Sequence, residues 1–156
     1  GETTTMGDTN VKSSANEKAG NSTAKTYTGG CHCGAVRFEA DIDFGQPVSR
    51  CNCSICTKIA QTTAIVKPSA FRLLAGEGEV GKYAWGAKNG TRIFCKHCGV
   101  HCYGPGHLEF LGGDYVSINV NALDGVDPNA LKVIYFDGRH DNWMAGPRET
   151  PWPIKA

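Results

Sequence analysis

No run of apolar residues in this sequence is long enough to cross a bilayer, and the N-terminus as given has no apolar signal segment. A membrane-embedded function is therefore not expected. An excess of one charge is lacking too: 16 Lys and Arg stand against 15 Asp and Glu, a formal net charge of +1. That leaves no basic surface for nucleic acid and no acidic tail for a basic partner. Heptads and internal repeats are also absent. What remains is a chain of 156 residues, 40% hydrophobic and 20% charged, the balance of one ordinary globular domain. Two residue types are plentiful: 20 glycines, which point to a turn-rich fold of short strands, and 8 cysteines.

The cysteines are clustered. Cys31-His32-Cys33 and Cys95-Lys96-His97-Cys98 are pairs, and Cys51-Asn52-Cys53-Ser54-Ile55-Cys56 holds three thiols in six residues. Disulfide frameworks spread their cysteines, and C-x-C spacing strains a cystine, so the pattern reads as metal binding. Two pairs supply the four ligands of a closed structural site, here Cys31, Cys33, Cys95 and Cys98. The trio then has the count of a catalytic zinc, with three protein ligands and one position for substrate. Spacing alone also allows Cys51 and Cys53 to partner Cys95 and Cys98. An iron–sulfur cluster is a further alternative for the trio, although such clusters usually take four cysteines. Metal-binding thiols must stay reduced, which favours the cytoplasm.

Residues 1–24 are rich in Thr, Ser, Asn, Lys and Gly and read as a flexible polar tail, partly foreign to the protein if Met6 is the natural start; residues 25–156 read as the folded domain. Alternation of Val36, Phe38 and Ala40 with Arg37 and Glu39 predicts a half-buried strand. Further strands are expected at Thr63–Val66, Phe71–Leu74, Lys82–Trp85, Thr91–Phe94, Tyr115–Val120 and Leu131–Phe136, with Asn89-Gly90 as a hairpin turn. Ser54–Ala60 suits a short helix with Ser54 as its N-cap, its free N–H groups aimed at the thiolates. Gly99, directly after Cys98, suits the positive φ of a metal knuckle. The expected class is mainly β, of short antiparallel strands with few short helices.

Among the histidines, His101 follows the last knuckle closely and is the candidate fourth ligand, proton donor or orienting neighbour. Trp85, Tyr103, Trp143 and Trp152 are candidates for a cleft, and Arg50, Arg92, Arg139 and Arg148 for binding a substrate carboxylate. Core packing and solvated surface are the ordinary roles of these residue types. Cys102 reads as a small buried hydrophobe.

The motifs Gly29-Gly30-Cys31-His32-Cys33-Gly34, Cys51-Asn52-Cys53-Ser54-Ile55-Cys56 and Phe94-Cys95-Lys96-His97-Cys98-Gly99-Val100-His101 resemble those of the glutathione-dependent formaldehyde-activating enzyme family. Its domain is shared with centromere protein V. Asn119-Val120-Asn121-Ala122-Leu123-Asp124 and Phe136-Asp137-Gly138-Arg139 are similar to the same family. The resemblance covers about residue 26 to the C-terminus. It implies a zinc-stabilised β-tent with two zinc ions per chain. One is structural, on Cys31, Cys33, Cys95 and Cys98; the other is catalytic, on Cys51, Cys53 and Cys56. The implied reaction is a carbon–sulfur lyase's: forming or cleaving S-hydroxymethylglutathione from glutathione, a small-molecule thiol, and formaldehyde, an aldehyde. This chain is shorter than the founding enzymes, so the zinc sites transfer more directly than the substrates. The rival readings are a non-catalytic zinc-binding interaction module and a thiol redox enzyme. The sequence does not indicate an oligomeric state.

Overall fold

The computed structural model describes residues 23–155. The expected polar tail, residues 1–24, lies almost wholly outside the described residues. The described residues form ten strands and one α-helix in the order β1 (Lys25–Gly30), β2 (Arg37–Ile42), β3 (Val48–Cys51), α1 (Ser54–Ile59), β4 (Thr63–Val66), β5 (Phe71–Ala75), β6 (Val80–Tyr83), β7 (Arg92–Cys95), β8 (His101–Leu108), β9 (Gly113–Asn119) and β10 (Val133–Phe136). Seven single-turn 3-10 segments link them. No helix among the described residues is long and apolar enough to cross a membrane. The expected class, mainly β with few short helices, is the observed one.

Two sheets form: a small one ordered β1-β2-β5 and a large one ordered β10-β3-β4-β9-β8-β7-β6. Pairing is antiparallel throughout, except that β10 runs parallel to β3. The period-two alternation read at Val36–Ala40 puts Phe38, Ala40 and Ile42 of β2 inward. They meet Ala64 and Val66 of β4 and Val116 and Ile118 of β9 in one core. Phe38 packs on Phe71 within its own sheet and on Tyr103 of the large sheet, which joins the two layers. Fully burying one such aromatic or aliphatic side chain stabilises by about 1.5–3 kcal/mol.

The strands fall within one or two residues of their expected bounds. Two local readings differ. The cap of α1 is Cys53, not Ser54: Cys53 has extended backbone and its sulfur accepts the N–H of Cys56. Asn89-Gly90 is not a two-residue hairpin turn; β6 and β7 are joined by a longer loop, and Gly90 instead bridges to Gly106. Strand β8 runs straight through Gly104-Pro105-Gly106, although glycine and proline are common turn residues. Its glycines are required by close approach. A Cβ on Gly104 would lie 2.1 Å from the Thr91 carbonyl oxygen, and one on Gly106 would lie 2.4 Å from the Tyr115 ring.

A register shift opposite Ile93 and Phe94 of β7 inserts Cys102 as an extra residue in β8. The shift lets consecutive residues, Cys102 and Tyr103, both turn inward. Cys102 is fully buried and Tyr103 packs on Phe38 and Phe71, so Tyr103 belongs to the core rather than to a cleft. His101 stays with Phe94, on the side of β7 away from buried Ile93 and Cys95.

Candidate metal centres

Two loops bring together the first group of thiols. One joins β1 to β2 and carries Cys31 and Cys33; the other joins β7 to β8 and carries Cys98, with Cys95 at the end of β7. Each folds as a knuckle whose backbone N–H groups point at sulfur. Val36 donates to Cys31 at 3.3 Å, and His97 and Cys98 donate to Cys95 at 3.3 and 3.5 Å. Gly99 has the expected positive φ, 78°. The four sulfurs lie within 4.8 Å of one another, with Cys33 Sγ 3.7 Å from Cys31 and 3.6 Å from Cys95. Tetrahedral zinc with bonds of about 2.3 Å places its sulfurs about 3.8 Å apart, so this group fits such an ion.

Three of these thiols are shifted in different directions. Burial opposes ionisation of Cys31, but the Val36 N–H and the neighbouring thiols hold it low. Cys98 is lowered to about 6, first by the Cys33 N–H. The Ala35 N–H lowers Cys33, but the Cys95 and Cys31 sulfurs override it and push it up to about 11. Such a spread is what clustered thiols show when one ionises at its neighbours' expense; a dication among them stabilises every thiolate at once. His97, inside the motif, pairs with Glu79. Cys102 lies outside the group, and burial pushes its thiol up to about 12.

The second group comes from one corner. Cys51 ends β3, Cys53 caps α1 and Cys56 lies in its first turn. All three sulfurs lie within 4.8 Å of one another. Cys53 donates its N–H to Cys51 Sγ at 3.4 Å, and Cys56 donates to Cys53 Sγ at 3.5 Å. The Cys51 and Cys56 thiols, with N–H groups of Cys56 and Ile55, hold Cys53 far below the ordinary thiol range. Cys51 is pushed up, first by Cys53, and Cys56 by Cys51, Cys53 and burial. Here too the donor set suits a soft or borderline dication.

The corner is held by residues far along the chain. Asn52 donates to the Asp137 carboxylate at 2.7 Å and to the Pro153 carbonyl at 3.1 Å. Its side-chain oxygen accepts the Arg139 N–H at 3.0 Å, and its carbonyl accepts Arg139 Nε at 2.8 Å. Asp137 is buried and also accepts from His140 at 2.7 Å and Asn142 at 3.2 Å. Burial raises its carboxyl, but these three donors outweigh burial and hold it below the usual carboxylate range. Gly138 lies so close that a Cβ on it would sit 2.6 Å from Cys51 Sγ and 2.8 Å from the Trp143 ring.

The sequence candidates therefore divide. Arg139 pins the Asn52 backbone, Arg50 donates to Thr62, and Arg148 binds the Thr150 and Pro151 carbonyls while lying over Trp152. Arg92 alone of the four reaches a thiol, with Nη2 3.5 Å from Cys56 Sγ. Of the aromatics, Trp143 flanks the trio through Gly138 and Phe136, whereas the Trp152 indole donates to the Tyr135 carbonyl. His101 is not among the grouped ligands. Its ring stacks on Phe94 at 5.4 Å, its Nδ1 is buried without a hydrogen-bond partner, and burial followed by the Arg92 charge lowers its pKa. A cleft of about 610 Å³ lies elsewhere, lined by residues such as Phe44, Val48 and Ala70, and contains no cysteine.

The family model for glutathione-dependent formaldehyde-activating enzymes matches residues 26–136, the stretch that contains both thiol groups. The chain belongs to this family. A curated Halomonas elongata protein carrying the name of a glutathione-dependent formaldehyde-activating enzyme is 56% identical over 32 residues, 20% of this chain and 20% of that protein. That match spans only about a fifth of the relative's length. The crystal structure of a Rhodobacter sphaeroides protein aligns with a TM-score of 0.59 at 27% identity, covering 81% of this chain and 99% of that one. For this family member, two thiol groups fit to hold metal ions are thus set into a fold shared with a solved structure.

Proposed function

We propose that the chain is a zinc-dependent carbon–sulfur lyase that forms and cleaves a thiol–aldehyde adduct of the S-hydroxymethylglutathione kind. The observation that carries this reading is the partition of the thiols: a complete set of four, and apart from it a set of three. In this reading Cys31, Cys33, Cys95 and Cys98 hold a structural zinc, Cys51, Cys53 and Cys56 a catalytic one, and residues 25–156 form the β-tent domain. Zinc on three thiolates supplies a soft Lewis acid that favours sulfur ligands and keeps a thiol ionised near neutral pH. The reaction forms a bond from the substrate sulfur to the aldehyde carbon while the carbonyl π pair moves to oxygen, which takes up a proton. Cleavage reverses each change.

The chain's own residues serve this chemistry in separate ways. Asn52, Asp137 and Arg139 orient the Cys51–Cys53 turn. Trp143 and Phe136 give the corner an apolar wall. His101 is assigned the proton: its ring, with a pKa lowered by burial and the Arg92 charge, takes the proton the thiol gives up and returns it to the oxygen. Reduced thiols make the cytoplasm the expected compartment.

The test is NMR exchange spectroscopy on glutathione, formaldehyde and their adduct, combined with a zinc count. Faster exchange with the wild-type protein, two zinc ions per chain and one in Cys53→Ser are the expected results. Unchanged exchange would remove the formaldehyde assignment. A single ion with a reversibly oxidised Cys51–Cys53–Cys56 group would favour the redox reading instead.

A further inference from the structure

Strand β10 runs parallel to β3 with Phe136 in register with Cys51. The chain then turns through Gly138–His140 and reverses at Asp141, whose φ of 52° is left-handed. The reversal returns Trp143 over Gly138. A Cβ on Gly138 would lie 2.6 Å from Cys51 Sγ and 2.8 Å from Trp143 Cη2, so the sulfur and the indole edge face each other across this one glycine. The indole is held on two further sides. Its N–H donates to the Asp141 carboxylate at 3.3 Å, and its ring centre lies 6.2 Å from that of Phe136. Yet 52% of Trp143 is exposed, and Met144 next to it is wholly exposed. The three thiols of the corner are themselves only half-buried. An exposed apolar residue on its own needs no explanation. A tryptophan fixed by a hydrogen bond, a neighbouring ring and a glycine, with half its surface open beside a thiol group, is a preorganised apolar platform.

We propose that Trp143 forms a subsite for an aryl substituent of the adduct, so that the Cys51–Cys53–Cys56 site favours reactants carrying a flat apolar group. This rests on the reading of the trio as a thiol–aldehyde centre and adds the class of substituent. A one-carbon aldehyde has no side group to lay on the indole. An aryl group one or two bonds from the reacting sulfur or carbonyl carbon has one, and its contact removes apolar surface of both partners from water. The ring can arrive on either reactant, and two arms of one experiment separate these sources.

The first arm follows binding of benzyl mercaptan and of ethanethiol to the zinc-loaded full chain by titration calorimetry. The second follows adduct exchange of glutathione with phenylacetaldehyde and with acetaldehyde by NMR. The aryl compound is expected to be favoured about tenfold in at least one arm. A preference in the first arm alone places the ring on the thiol, and in the second alone on the aldehyde. Trp143→Ala brings the ratio close to one with the zinc count unchanged, and Trp143→Phe restores most of it. In the wild type the favoured aryl compound shows intermolecular NOEs to the Trp143 indole protons. This readout decides even if Trp143→Ala loses its metal: a favoured aryl compound without such NOEs overturns the proposal. So does an aryl preference that survives Trp143→Ala, or the absence of a preference in both arms while thiols bind or exchange is accelerated. In those cases the reading of the trio stands and only the subsite falls. If no thiol binds and neither exchange is accelerated, the reading of the trio falls and takes the subsite with it.

Discussion

Asn52 stands between Cys51 and Cys53, and both ends of its amide are engaged. Its partners lie 85 to 101 positions away, so nothing local in the sequence announces them. The cysteines were legible because metal ligands obey short spacings; the residues that aim them were not, because that contact exists only after β10 docks beside β3. Asn52→Ala strands the buried Asp137 carboxylate without one of its donors. It is expected to lower stability by about 1–3 kcal/mol and to release the metal of the trio, read by urea unfolding and by zinc count. Cys102→Ala is the contrast: Cys102 is buried but outside both groups, so two ions per chain should remain. Asp137 adds a pH dependence. Its folded pKa lies below the unfolded value of about 3.9, so its contribution is complete above that range and is lost as pH falls through the lower folded value. Wild type should therefore lose more stability than Asp137→Asn on acidification, seen as convergence of their urea midpoints.

Strands were read from alternation, and alternation is reliable where one face is buried. It fails at β8. Gly104-Pro105-Gly106 carries turn residues, yet the strand is continuous because Tyr115 from β9 lays its ring over Gly106 and Thr91 approaches Gly104. The missing side chains are replaced by a neighbour's, a relation invisible to a periodicity confined to one segment. Gly104→Ala would place a methyl group against backbone rather than against a flexible side chain. It is expected to destabilise by about 3 kcal/mol, the upper end for overpacking, measured as a fall in thermal midpoint with both metals still bound at low temperature. Helix α1 shows a smaller version of the same limit. Ser54 has the better capping chemistry, but a sulfur held low by two neighbouring thiols and two N–H groups takes the position one residue earlier. Gly138→Ala tests the corner at this scale. Its new Cβ meets Cys51 Sγ, so the trio should lose its ion while the group of four keeps its own, giving one zinc per chain.

At the scale of the whole molecule, an ion held by the group of four would reinforce the small hydrophobic core. Cys31 and Cys33 leave the small sheet, Cys95 and Cys98 the large one, and Cys33 and Cys95 are 62 positions apart. An ion there closes a long loop and clamps the layers across which Phe38 meets Tyr103. A structural zinc of this kind contributes on the order of 10 kcal/mol in small peptides, comparable to the whole stability of a domain. The trio spans only a six-residue stretch already fixed by β3, α1 and the Asn52 bonds, so an ion there would add little to the fold. Graded chelation should separate the two. A chelator of moderate strength is expected to remove one zinc, abolishing thiol binding while far-ultraviolet circular dichroism stays native. Stronger chelation removes the second and unfolds the chain in the same step. Cys33→Ser, at an exposed thiol of the group of four, should unfold at lower temperature than Cys53→Ser, although Cys53 is the more buried. The reverse order would mean that the trio, and not the clamp between the sheets, holds the domain together.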